Sequence, residues 1–145
     1  MRALLQRVRS AEVVVDGESV GAIDRGVLVF LAIQKEDEQV QADLLLAKLL
    51  AYRIFPDENG LMNLSLQEIA GGLLIVSQFT LAANTRKGLR PSFSSAAPPD
   101  RAEALYDYFV ARAIENHPSV AAGLFGADMQ VQLINDGPVT FLLEN

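Results

Sequence analysis

His117 is the only histidine, hence the only side chain whose unperturbed pKa lies near neutrality and the first candidate for a general acid or base. It stands in Glu115-Asn116-His117-Pro118, just past a helical stripe, where an exposed histidine favouring the helix dipole is the plainer reading. A single histidine excludes a multi-histidine metal site and argues against a histidine-based triad. The absence of cysteine excludes disulfides, zinc–thiolate sites and cysteine nucleophiles. Asp57-Glu58 and Glu36-Asp37-Glu38 are acidic runs that read as solvated loop surface. No metal-ligand spacing occurs, nor any Walker, GxGxxG or GxSxG motif. The side chains form no familiar catalytic constellation, and chemistry done here must rest on something else.

Two segments are odd for their surroundings. Ser77-Gln78-Phe79-Thr80-Leu81 places polar residues at the end of a very apolar strand. Ligand sites in sheets often lie at strand ends, where backbone amides are free to donate. The plainer alternative is a strand that meets solvent there. Gly137-Pro138 lies between two apolar segments. Glycine lets backbone approach another body closely, and proline removes a donor and can adopt cis. An ordinary tight turn is the alternative.

The elements that position these segments follow from hydrophobic periodicity. Residues 2–9 and 12–15 extend into Asp16-Gly17, a pair that favours a type I′ hairpin, and the chain returns through residues 19–23. Residues 27–33 are an apolar run of the kind strands buried on both faces show, and residues 73–79 form a second apolar strand, expected at the centre of the sheet. Ala42, Leu45, Leu46, Leu49 and Leu50 mark one face of a helix that ends near Tyr52. Ala102, Leu105, Tyr106, Phe109, Val110, Ala113 and Ile114 mark a second, with Asp100 and Glu103 resembling a capping box. Two strands, 129–134 and 139–143, are predicted at the end, joined by a turn at Asn135-Asp136-Gly137-Pro138. Residues 82–99 form a long polar loop with Arg86, Lys87 and Arg90, of the kind that is usually functional or disordered. The expectation is one mixed α/β domain over residues 1–145, with layered, barrel-like antiparallel and mixed sheets covered by two main helices.

Composition agrees. The 145 residues are 50% hydrophobic and 21% charged, enough apolar material for one core and too much for intrinsic disorder. Mean hydropathy is +0.22. No apolar run approaches the roughly 18 residues of a membrane span, and residues 1–7 lack a signal-peptide core, so a cytoplasmic address is expected. Twelve basic against 18 acidic residues give a net charge of −6. That balance argues against wrapping a long duplex, but permits a local basic cluster to hold a short nucleic-acid end.

Over essentially its whole length the chain resembles the D-aminoacyl-tRNA deacylase family. The resemblance is carried by Gln6-Arg7-Val8, Tyr52-Arg53-Ile54-Phe55, Met62-Asn63, Val76-Ser77-Gln78-Phe79-Thr80-Leu81, Arg90-Pro91-Ser92-Phe93, Pro99-Asp100-Arg101-Ala102 and Asn135-Asp136-Gly137-Pro138-Val139-Thr140. It implies a homodimeric cytoplasmic esterase of translation proofreading. Such an enzyme frees D-amino acids, and glycine mischarged on alanine tRNA, from the terminal adenosine of tRNA and rejects L-aminoacyl-tRNA. It implies no metal and no organic cofactor. It assigns catalysis to Ser77, Gln78, Phe79 and Thr80 of one subunit. Gly137 and Pro138 of the other enter as a chiral filter, and Phe125 and Met129 line the pocket. A cis bond between Gly137 and Pro138 is expected, its carbonyls facing the 77–80 segment of the other subunit. Arg86, Lys87 and Arg90 are candidates for phosphate contact or for a solvated loop, and Arg7 for a structural pair near the site.

An aminoacyl ester is already activated, so its hydrolysis needs a positioned water and donors for the oxyanion. Amides near residues 78–80 can supply those donors, and the ribose hydroxyl of the substrate can position or activate the water. The competing reading makes Thr80 the nucleophile of a general esterase, which requires a base beside it. A third makes the protein an inert module that binds an RNA end or a D-amino acid.

Overall fold

The computed structural model describes residues 1–86 and 88–145; Lys87, a candidate phosphate contact, lies outside the described residues. The order is β1 (Arg2–Val15), β2 (Glu18–Ile23), β3 (Gly26–Ala32), α1 (Gln39–Ala51), β4 (Phe55–Pro56), β5 (Met62–Leu64) and α2 (Leu66–Ile69). Then come β6 (Gly72–Ser77), a 3-10 turn (Phe79–Ala82), α3 (Pro99–Asn116), β7 (Val120–Ala122) and β8 (Gln130–Glu144). At the first hairpin Asp16 and Gly17 both take positive φ, 51° and 83°, as a type I′ turn requires.

The main sheet runs β2-β1-β3-β6-β7, with β8 paired along the other edge of β1. β1 is antiparallel to β2, β3 and β8, whereas β3–β6 and β6–β7 are parallel. Gly21 of β2 approaches β7 so closely that an added Cβ would stand 2.8 Å from the Ala122 carbonyl oxygen, so the sheet curls almost shut. One core lies inside the curl, built on Val8, Val13, Ile23, Leu28, Leu74 and Val76. The other lies outside it, where Leu5, Val29, Leu31, Leu73 and Ile75 meet α1 and α3. β3 and β6 thus bury both faces, which is why neither alternates.

Five expectations are corrected. α3 begins with Pro99 at its first position and Pro98 as N-cap, so Asp100 sits in the first turn and makes no capping box. Proline's fixed φ suits that position, so the helix starts two residues earlier than a cap at Asp100 allows. Ile114 is exposed, at the outer margin of the stripe. Asp37 is not solvated but 5% exposed; its carboxylate pairs with the Met1 amino group at 2.6 Å and accepts from the Gln34 amide. His117 is likewise buried, 4% exposed, its Nε2 2.6 Å from the Gly71 carbonyl oxygen.

The fifth concerns residues 135–138, which are not a turn. β8 is one strand of 15 residues that pairs with β1 on both sides of them. Gln6 faces Thr140 and Val8 faces Asn135, so residues 136–139 stand opposite Arg7 alone, a special bulge larger than the usual two against one.

Candidate active site

β3 and β6 are parallel, and their carboxyl ends lie side by side with Leu31 opposite Ser77. A cavity of about 450 Å³ opens there, as expected of strand ends in such sheets. Its floor is Leu31, Ile33, Val76 and Ser77, and Gln78 and Phe79 form one lip. Phe125, Met129 and Val131 face them, and Ala96, Ala97 and Ala102 close the third side. The lining is almost wholly apolar, with its polarity concentrated at Ser77 and Gln78.

The lip is built by an abrupt end to β6. The Gln78 amide still donates to Leu31 O at 2.8 Å, and the chain then coils into the 3-10 turn, where the amides of Leu81 and Ala83 donate to the carbonyls of Gln78 and Thr80. As at any helix start, the first amides have no partner within the turn. Among the described residues those of Phe79 and Thr80 have no acceptor at all. Arg2 fixes the turn by donating to Leu81 O at 2.9 Å, and the Ser95 hydroxyl donates to Ala82 O. The Gln78 side-chain amide bonds the Thr80 hydroxyl at 2.6 Å. An amide is no base in either orientation, and Thr80 has no other side-chain partner among the described residues. His117 cannot serve it, because its acceptor Gly71 lies at the opposite end of β6, about 20 Å from Ser77 at strand rise.

The opposite wall is held by a residue that periodicity could not single out. Tyr106 belongs to the apolar stripe of α3, yet its hydroxyl donates to Ile75 O at 2.9 Å and lies 3.2 Å from Gly123 O. Its ring packs on Phe125 at 5.7 Å between centroids, so it pins the start of the wall segment to β6. Burial, reinforced by Asp107, pushes this hydroxyl far above its usual pKa, which keeps the proton in place to donate. Tyr106→Phe should cost about 1 kcal/mol of stability in a denaturant titration, because Ile75 O keeps its bond from the Gly123 amide. A loss above about 3 kcal/mol would mean the phenol also holds a group besides these two carbonyls.

The remaining candidates lie elsewhere. Arg86 and Arg90 are exposed in the loop beside the cavity, and neither pairs with a carboxylate among the described residues. Gly137 and Pro138 do not line the cavity. Their bulge faces Arg7, which pairs with Val27 of β3, four residues or about 13 Å along the strand from Leu31. The Gly137–Pro138 peptide is cis, as expected, and both residues are exposed in the single chain. Arg7 is the structural pair anticipated: its Nε donates to Asp136 O at 3.0 Å, and its NH1 donates to Ile54 O at 2.7 Å. Asn135 brackets the bulge by accepting from the Val139 amide and donating to Thr140, each at 3.0 Å. Gly137 has φ +133°, and an added Cβ would meet Val139 Cγ2 at 2.7 Å and Arg7 NH2 at 3.0 Å. Only glycine fits there without strain. Among the described residues no cluster of metal-ligating side chains occurs, and no helix is long and apolar enough to cross a membrane.

A family profile described as D-Tyr-tRNA(Tyr) deacylase matches residues 4–144. The D-aminoacyl-tRNA deacylase of Stutzerimonas stutzeri (strain A1501) is 67% identical over 145 residues, 100% of both chains. That of Cellvibrio japonicus (strain Ueda107) is 61% identical over 144 residues, 99% of each. The solved structure of a c-Myc DNA Unwinding Element Binding Protein superposes with a TM-score of 0.96 at 40% identity, covering 100% of this chain and 99% of that one. A probable eukaryotic D-amino acid tRNA deacylase shares the fold, with a TM-score of 0.82 at 23% identity over 98% and 97% of the two chains. With the profile spanning all but the ends and relatives this similar along their full length, the chain belongs to the D-aminoacyl-tRNA deacylases, hydrolases of the ester that joins an amino acid to tRNA.

Proposed function

We propose that the cavity at the ends of β3 and β6 holds the terminal adenosine and its D-aminoacyl group, and that hydrolysis is driven by backbone and substrate. The observation that carries this reading is the pair of unpartnered amides, Phe79 and Thr80, in the turn that ends β6: Phe79 lines the apolar pocket, and Thr80 follows it just outside the lining. They stand where a carbonyl oxygen gains charge as water attacks. Water adds to the ester carbonyl and the amides hold the oxyanion. The bond to the ribose oxygen then breaks, and a proton passes to that oxygen. The 2′-hydroxyl of the same ribose positions the water, the task a side-chain base performs elsewhere. Ser77 and Gln78 shape the lip, with Gln78 holding the Thr80 hydroxyl. Phe125 and Met129 bound the substrate opposite.

The chiral filter comes from a second copy. Gly137 and Pro138 stand away from the cavity of their own chain and are exposed, and the β8 edge that carries them has no partner strand among the described residues. An unpaired edge of 15 residues is a pairing surface, and a two-fold dimer lets each subunit give and receive a motif. A backbone wall where an L side chain would project excludes L without gripping D. Glycine, with no side chain, passes, so glycyl-tRNA is a substrate too. Acting on tRNA, the enzyme works in the cytoplasm. One structural relative is named for a DNA element, but a net charge of −6 suits a short nucleic-acid end better than a long duplex.

The test is release of amino acid from matched D- and L-aminoacyl-tRNA by the purified protein. Release from D and glycyl-tRNA, with L-aminoacyl-tRNA and simple esters intact, is expected. Tight binding without turnover would make it a binding module. Hydrolysis of simple esters that disappears in Thr80→Ala would make Thr80 a nucleophile.

A further inference from the structure

Two aromatic side chains at the mouth of the cavity have no part in the chemistry above. Phe79 and Phe93 are 60% and 40% exposed, with ring centroids 5.0 Å apart and planes inclined at 54°. Phe79 also forms the lip, so the aromatic surface begins where the cavity ends. Just before Phe93 the loop is cinched by the Asn84–Ser92 bridge, with reciprocal amide–carbonyl bonds of 2.7 and 3.0 Å. Arg86 and Arg90 follow on the far side of that bridge, both exposed. Cavity, open aromatic rings and guanidinium groups therefore succeed one another along a single loop. That order matches a single-stranded nucleic acid end: a terminal nucleoside, the next base, then phosphates.

We propose that Phe79 and Phe93 form a stacking platform for the base that precedes the terminal adenosine, with Arg86 and Arg90 toward its phosphates. The proposal rests on the terminal adenosine occupying the cavity. Unpaired bases are gripped by stacking on exposed aromatic rings, and guanidinium groups neutralise the adjoining phosphates. A ring pair that served only to pack the loop would hide its area from water, and in the single chain this pair leaves much of it exposed.

The experiment compares three D-aminoacyl esters: on adenosine, on the dinucleotide cytidylyl-adenosine, and on the same dinucleotide with the cytosine base removed. For the wild type, kcat/KM on the intact dinucleotide should exceed that on the abasic one about tenfold, the usual range for one stacked base. Phe93→Ala should shrink that ratio to near unity, and Phe93→Trp should restore it. An unchanged ratio in Phe93→Ala, or a wild-type ratio near unity, would overturn the platform. Failure of the wild type to cleave any of the three esters would instead overturn the reading of the cavity.

Discussion

Thr80→Ala should retain most of its activity, whereas D-aminoacyl-tRNA ending in 2′-deoxyadenosine should be cleaved about 10²–10³ times more slowly. The asymmetry follows from where the proton-handling groups are. Among the described residues Thr80 Oγ has a single side-chain partner, the Gln78 amide at 2.6 Å, which cannot take its proton. Its backbone amide, by contrast, has no acceptor among the described residues and survives the substitution to alanine intact. On the proposed reading the ribose hydroxyl orients the water, and deleting it removes a contact made by the reacting atoms. Single-turnover rates on both substrates decide the matter. A loss of 10²-fold or more in Thr80→Ala, with the deoxy substrate cleaved normally, would reverse the roles.

The second large effect concerns Gly137. Gly137→Ala puts a methyl group 2.7 Å from Val139 Cγ2 and 3.0 Å from Arg7 NH2, so the bulge must shift. A displacement of about 1 Å at a positioning element costs on the order of 10² in rate, and kcat/KM on D-aminoacyl-tRNA should fall by that amount. Ala97→Phe, which fills the cavity from its own chain, should be equally inactive. Refolded together, the two inactive proteins should regain about a quarter of wild-type activity, since half the dimers are mixed and each holds one intact site. No recovery would place motif and cavity in one chain and remove the cross-subunit account.

Much of the scaffold could be foreseen because its signals are local. The 3.6-residue stripes gave α1 and α3, and the apolar runs at residues 27–33 and 73–79 marked strands, the first as covered on both sides. The lip was marked by polar residues breaking one of those runs. What escaped was set by partners distant in sequence. Asp37 looks like surface until the Met1 amino group is brought beside it, and His117 until Gly71 O reaches it. Asn135-Asp136-Gly137-Pro138 has turn composition, and only the continuous pairing with β1 makes it part of a strand. β7 and α2 are too short to show a period. Tyr106 was hidden by the opposite ambiguity: its ring belongs to the core and its hydroxyl to the wall of the site.

The bulge in β8 also separates two kinds of constraint. Before it, Val131 and Leu133 pack on the core inside the curled sheet; after it, Val139, Phe141 and Leu143 pack on the core beneath the helices. Each half of the strand is thus held in register by a different set of neighbours, and residues 136–139 are the slack between them. A change of length there is absorbed by the slack and does not slide either half, since sliding would turn Gln130 and Gln132 inward and their apolar neighbours out. If this tip enters a second subunit as proposed, its shape can therefore vary while folding is left alone, so that selection on substrate choice would act there largely free of selection on stability.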